Sequence, residues 1–429
     1  MKVSLDYGRG SLEVDLPDDC DVTEIVKRPT EPIKSPREAV YAALETPHGA
    51  EALATLAKGR ASACILICDI TRPVPNGLIL RPIIETLVKA GLPKAAITVL
   101  VATGLHRPNE GSELDTLIDD PWVLENVRVE NHFARDDAAH VDLGVTPLRK
   151  VPVKLDRRFV DADLRLVTGL VEPHFMAGYS GGRKVIAPGI AHEQTIRTFH
   201  NAKFMGDPAA RECNLVGNPL HEEQLAIVEM VGEVYALNTV LDENRNLTFI
   251  NFGHIEQSHL AAVDFVKASS LVPVERQFST VLTSCAGYPL DQTYYQTVKG
   301  MVTPRGIFAD NARLLIAADC SEGLGSPEYR EAQKRLVSMG PGAFADAIAR
   351  QPLAAIDEWQ TQMQLKPMAV AEVGLYSHGL PDADWPFTGV NRIDNLSKAV
   401  SAALDASGDR AIAVIPEGPY VVPYYEASA

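Results

Sequence analysis

The chain has 429 residues, 46% of them hydrophobic, and a formal net charge of −16, so it can bury more than one core, and its global field excludes polyanionic nucleic acid as a partner. Its longest apolar runs, such as residues 96–102, fall far short of the roughly 20 residues of a membrane-spanning helix, and the charged start Met1-Lys2-Val3-Ser4-Leu5-Asp6 lacks the apolar core of a secretory signal. Six scattered cysteines, Cys20, Cys64, Cys68, Cys213, Cys285 and Cys320, match the usage of a reducing compartment, so a cytoplasmic protein without membrane contact is expected.

In chain order, the apolar run 63–68 predicts a buried strand in which Cys64 and Cys68 are core thiols rather than metal ligands. A helical pattern follows over 78–90, with Leu80, Ile83, Ile84 and Leu87 on one stripe and Gly91 as a left-handed cap. Further strands are predicted at 96–102 and 164–168, which makes the N-terminal part a series of β-α units. Ligands of open α/β sheets sit outside the carboxyl ends of the strands. Asp69, Arg72, His106 and His174 all fall at such ends; each alone reads as an ordinary loop residue, and the four together read as a site. After a helical pattern at 255–267, residues 271–276 read as a linker into a second α/β unit, which sets expected domains of 1–271 and 272–429. Strands at 280–284, 314–318, 369–376 and 411–415 then recur among helices at 330–337 and 394–404.

The segment Gly178-Tyr179-Ser180-Gly181-Gly182-Arg183-Lys184 offers clustered backbone N–H donors and two cations, as a phosphate loop does. It is not a Walker A motif, because Arg183 separates Gly182 from the lysine and Val185 stands where Ser or Thr would hold magnesium. The plainer reading is a Gly-rich turn before a helix with Lys184 in solvent. His174 and His200 flank this loop, and His106 ends a neighbouring strand; histidine exchanges protons near neutral pH and ligates borderline metals. No HExxH or CxxC pattern supports a zinc site. His48, His132, His140, His192, His221, His254, His259 and His378 read as surface or core residues. Further along, Gln296 and Lys299 are three apart and share one face of a helix. With Arg72, Lys299 can grip a carboxylate.

Taken together, Asp69-Ile70-Thr71-Arg72-Pro73-Val74-Pro75, Ala102-Thr103-Gly104-Leu105-His106-Arg107-Pro108, Glu172-Pro173-His174-Phe175, Ser180-Gly181-Gly182-Arg183-Lys184, His200-Asn201 and Gly287-Tyr288-Pro289-Leu290-Asp291-Gln292 resemble, in order and spacing, the nickel-dependent lactate racemase family. Tyr295-Gln296-Thr297-Val298-Lys299-Gly300-Met301 extends the match over nearly the whole chain. The resemblance implies two α/β domains of Rossmann-like parallel-sheet character with the active site in the cleft between them. It implies a nickel-pincer nucleotide, a pyridinium mononucleotide with two sulfur-bearing arms, attached covalently at Lys184, with His200 as the protein ligand to nickel and cofactor-biosynthesis proteins as maturation partners. Asp69, Thr71, Gly181, Gly182 and Arg183 match cofactor contacts. His106 and His174 match the acid/base pair that serves reversible hydride transfer at C2 of a small anionic 2-hydroxy acid. Arg72, Tyr295, Gln296, Lys299 and Trp359 match the substrate pocket.

Asn76-Gly77-Leu78, residues 321–326 and the tail from Ser377 depart from the lactate enzyme, which leaves a larger 2-hydroxy acid, malate-like or a sugar acid, as an alternative substrate. Two readings from other classes stand beside the racemase: a zinc metalloprotein in which His106, His174 and His200 are ligands, and a small-anion binding protein that merely keeps the loop.

Overall fold

The computed structural model describes residues 1–426. Its main strands are β1 Asp21–Glu24, β2 Ala63–Cys68, β3 Ile97–Ala102, β4 Arg128–Asn131, β5 Leu164–Leu170, β6 Tyr235–Leu241, β7 Leu247–His254, β8 Phe278–Ser284, β9 Phe308–Ala317, β10 Ala371–Tyr376, β11 Asn391–Ile393 and β12 Ala411–Ile415. The chain folds into two compact units, one of Pro29–Phe199 with Asn214–Lys267, the other of Met1–Arg28, His200–Cys213 and Ala268–Ala429. The expected cut at 271/272 lies close to the last crossing. The expected N-terminal domain, however, is not contiguous: its first 28 residues and 200–213 belong with the C-terminal segment.

The first of these units holds a six-stranded sheet of order β7-β6-β5-β2-β3-β4. Only β7 runs antiparallel, against β6; the other pairings are parallel. β2 is buried on both faces, as expected for a run of Ala, Cys, Ile and Leu in a parallel sheet. The helix after it, α1 Asn76–Lys89, seats Ile79, Leu80, Ile83, Ile84 and Leu87 in a core shared with Ile65, Ile67, Val99 and Val101. Each such side chain contributes about 1.5–3 kcal/mol on burial. Gly91 follows the helix at φ +111°.

In the other unit, all six strands, in the order β11-β10-β9-β8-β12-β1, are parallel. Its core brings Val3, Leu5 and Val14 from the antiparallel N-terminal hairpin of Lys2–Tyr7 and Gly10–Asp15 against Leu282, Val400, Leu404 and Val414. Residues 271–274 are not a linker: Leu271–Val274 is a strand paired in parallel with Val422–Tyr425. Its hydrogen-bonding partner lies some 150 residues downstream, so no local pattern announces it.

In both sheets the chain runs outward from one strand, then returns to the other side of that same strand. The reversal falls between β2 and β5 in one unit and between β8 and β12 in the other. At such switch points adjacent loops diverge and leave room for a ligand.

Candidate active site

Two groups of functional side chains are assembled, one at each switch point. In the unit with β2, the end of that strand delivers Asp69, a carboxylate 5% exposed. Its Oδ2 lies 2.5 Å from His106 Nδ1, and its Oδ1 accepts from the Thr71 hydroxyl at 2.5 Å and the Thr71 amide at 3.2 Å. Burial pushes the Asp69 carboxyl up, but the hydrogen bond and charge of His106, the Thr71 hydroxyl and Arg72 together outweigh it and hold the carboxyl below its ordinary value. An ionised Asp69 takes the Nδ1 proton of His106 as its hydrogen-bond donor, which makes Nε2 the unprotonated nitrogen of the neutral ring. Arg72 Nε sits 3.8 Å from Glu172 Oε1, which bridges the loops after β2 and β5.

The His106 loop is braced by Asn109, a residue the sequence reading passed over. Asn109 is 2% exposed. Its Oδ1 accepts from the Ile70 amide, its backbone pairs with the Asn131 side chain and its Nδ2 donates to Glu113. The only sequence signal was a polar residue three positions after His106.

His174 is presented differently. It lies in a two-residue strand, Pro173–His174, that pairs with Gly178–Tyr179, and its Nδ1 accepts from the amides of Ala177 at 3.2 Å and Met176 at 3.4 Å. A nitrogen that accepts two N–H bonds carries no proton, so the neutral ring is protonated at Nε2. The hydrogen bonds therefore assign His106 and His174 to opposite neutral tautomers, one with its lone pair at Nε2 and one with its N–H there.

The Gly-rich segment continues into a single helical turn, Arg183–Ile186, with Gly182 at its N-cap. Gly182 adopts φ +49°, and a Cβ there would lie 2.9 Å from His259 Cδ2. Gly189 permits a second close approach: a Cβ would meet Val185 O at 2.1 Å and Ala102 Cβ at 2.8 Å, and its carbonyl accepts from the Gly104 amide. The lysine segment and the His106 loop are thus in backbone contact. Lys184 is partly exposed. Arg183, expected at the cofactor, is instead 1% exposed and directs its guanidinium to Ala177 O at 2.9 Å and His259 Nε2 at 2.8 Å.

In the unit with β8, α2 Tyr294–Val302 follows the switch-point strand, capped by Thr293. It carries Tyr295, Gln296 and Lys299. Tyr295 Oη accepts from Trp359 Nε1 at 3.3 Å, its carbonyl accepts from Gln360 at 2.6 Å, and the Trp359 ring centre is 5.0 Å from that of His200. The Gln296 Oε1 atom is buried without a hydrogen-bond partner among the described residues. His200, Tyr295 and Trp359 therefore form one packed group, with Gln296 and Lys299 on the same helix.

Residues 7–212 match the lactate racemase N-terminal domain family and residues 274–422 the lactate racemase C-terminal domain family. The chain belongs to the lactate racemase family. It is 34% identical over 330 residues to the lactate racemase of Thermoanaerobacterium thermosaccharolyticum, covering 76% of each chain. It is 31% identical over 396 residues to that of Lactiplantibacillus plantarum, covering 90% of each. The structure of the lactate racemase apoprotein from Thermoanaerobacterium thermosaccharolyticum superposes with a TM-score of 0.90 at 29% identity, over 99% of this chain and 100% of that one. A protein from Thermotoga maritima, 18% identical, shares the fold with a TM-score of 0.64. Family membership makes the chain an isomerase of the racemase type. Among the described residues no helix is long and apolar enough to cross a membrane.

Proposed function

We propose that the chain racemises a small 2-hydroxy acid, with lactate as the first substrate to test. The observation that carries this reading is the pair of imidazoles in opposite tautomers at the ends of β3 and β5, because inversion of an alcohol carbon needs a base for one hydroxyl proton and an acid to return it. Arg72, next to the His106 loop, supplies a cation for the substrate carboxylate. His106 Nε2 takes the hydroxyl proton as the C2–H bond is broken. The resulting 2-keto acid accepts a hydrogen bond on oxygen from His174 Nε2–H and takes its proton from that ring in the imidazolium form, as hydrogen returns to the opposite face of C2. For the other enantiomer the order reverses, with His106 entering as the imidazolium and His174 without its Nε2 proton.

A C2 hydrogen of this kind is too weakly acidic to leave as a proton, so it has to leave as hydride. When bound, a nickel-pincer nucleotide attached at Lys184 supplies the hydride acceptor and donor. The residues fit such a group. Among the described residues no three His, Cys, Asp or Glu side chains could together hold a metal ion, so a zinc centre built from protein alone lacks donors, whereas a metal ligated mainly by its cofactor needs a single protein nitrogen, the role given to His200. Asp69 and Thr71 then act by holding His106, and Gly181 and Gly182 by shaping the turn that presents Lys184. Proteins that build the cofactor are the maturation partners, and the six free cysteines support a reducing compartment such as the cytoplasm.

The test has two arms. After co-expression with cofactor-building proteins, intact mass should show an adduct lost in Lys184→Ala, with nickel in the intact protein. Single enantiomers of lactate, malate and gluconate, resolved on a chiral column, should show inversion at C2. An unmodified lysine and no inversion of any substrate would overturn the reading.

A further inference from the structure

Arg183 is the largest fully buried side chain of the described residues, and no carboxylate pairs with it there. Its neighbours are two histidines, His259 on the helix Ile255–Ser270 and His221 on the helix Pro219–Val231. Burial, reinforced by the Arg183 charge, holds both rings neutral, with His221 lowered to about 3. A buried guanidinium without an anion, placed at the N-terminal end of a helical turn, is unfavourable in itself. What the planar fork does supply is two donors at fixed directions, one to His259 Nε2 and one to Ala177 O.

Those two contacts reach both ends of the functional loop. Ala177 carries, on its other side, the amide that donates to His174 Nδ1. His259 Nε2 also lies 2.8 Å from Ser180 O, and its ring lies against the Gly182 Cα. Nε2 serves one of its two neighbours at a time, as acceptor for Arg183 or as donor to Ser180. Met176, the other amide on His174 Nδ1, is held through its carbonyl by Asn218 Nδ2 at 3.0 Å. A continuous path thus runs from His259 through Arg183 to Ala177 and His174, and Lys184 is the next residue in the chain after Arg183.

We propose that His259, acting through Arg183, is a positioning residue that sets the tautomer of His174 and the presentation of Lys184, and that Arg183 works from behind the loop rather than on the cofactor. The roles of Lys184 and His174 rest on the racemase reading; the linkage itself does not. It is read in the apoprotein labelled with ¹⁵N, where the His174 nitrogen shifts report which ring nitrogen bears the proton. Wild type is expected to show the Nε2–H form alone. His259→Leu strands a buried charge and can fail to fold, so the deciding variant is Arg183→Met with His259→Leu, which removes donor and acceptor together and keeps the volume. In that double variant His174 should become a mixture of tautomers. After cofactor loading, kcat should fall about 10–100-fold with KM unchanged. His259→Gln, which keeps an acceptor and a donor, should restore the Nε2–H form. An unchanged His174 signal in the double variant, or no restoration by His259→Gln, overturns the proposal. Failure of the racemase reading would show instead as a wild-type protein with unmodified Lys184 and no inversion.

Discussion

At the scale of single residues, the proposed chemistry depends on where one proton sits on each of two rings. Asp69 is the group that fixes it for His106. His106→Ala should lower kcat by about 10²–10⁴-fold, the usual contribution of one acid/base group, while leaving the Lys184 adduct intact by mass. Asp69→Asn should also lower kcat, because a neutral amide no longer requires the proton on Nδ1; a pH–rate profile and kcat equal to wild type would remove Asp69 from the mechanism. His221 makes a separate prediction about stability. Its folded value is about 3 against an ordinary value near 6.5, so between those limits the unfolded chain binds the extra proton. Stability from this group is present above about pH 6.5 and is lost as pH falls toward 3. His221→Leu should flatten that part of the acid-denaturation curve, measured as denaturation midpoint against pH.

At the scale of elements, the loops matter as much as the strands. Gly189 lets the lysine segment approach β3 and Val185. Gly189→Ala should cost about 1–3 kcal/mol by overpacking, measured by urea denaturation; a change below a few tenths would mean that the loop yields freely. Much of this level was legible beforehand. The strand at 63–68 and the strand at 411–415 have the expected bounds, since each is a continuous apolar run whose signal is entirely local. The helix at 78–90 is displaced by one or two residues, and the strand from 164 runs on to Leu170, because hydrogen-bonding partners rather than composition end an element. Asp69, His106 and His174 were visible as strand-end residues. The Arg183–His259 contact was not, since the two lie 76 positions apart and a histidine in a helical pattern carries no mark of what it faces.

At the scale of the whole molecule, the two units are interleaved rather than sequential. The sequence pointed to two α/β cores but assigned the first 28 residues to the N-terminal one, because the hairpin that carries Val3, Leu5 and Val14 packs against Leu282, Val400, Leu404 and Val414, far downstream in the chain. A fragment of 272–429 would lack that hairpin and the edge strand β1. It should show no cooperative thermal transition by circular dichroism, whereas the same fragment mixed with a peptide of residues 1–28 should recover one; a cooperative melt of the fragment alone would show that the hairpin is dispensable.

The pairing of β1 with β12, Asp21 opposite Ala411, has a consequence for biosynthesis. A ribosome adding about 5–20 residues per second needs roughly 20–80 s to reach the partner strand. For that interval the core that Val3, Leu5 and Val14 enter is incomplete, although the unit carrying Lys184 can already be complete. The nascent chain therefore holds a strand-forming N-terminal segment without its final neighbours while the unit carrying Lys184 is finished first.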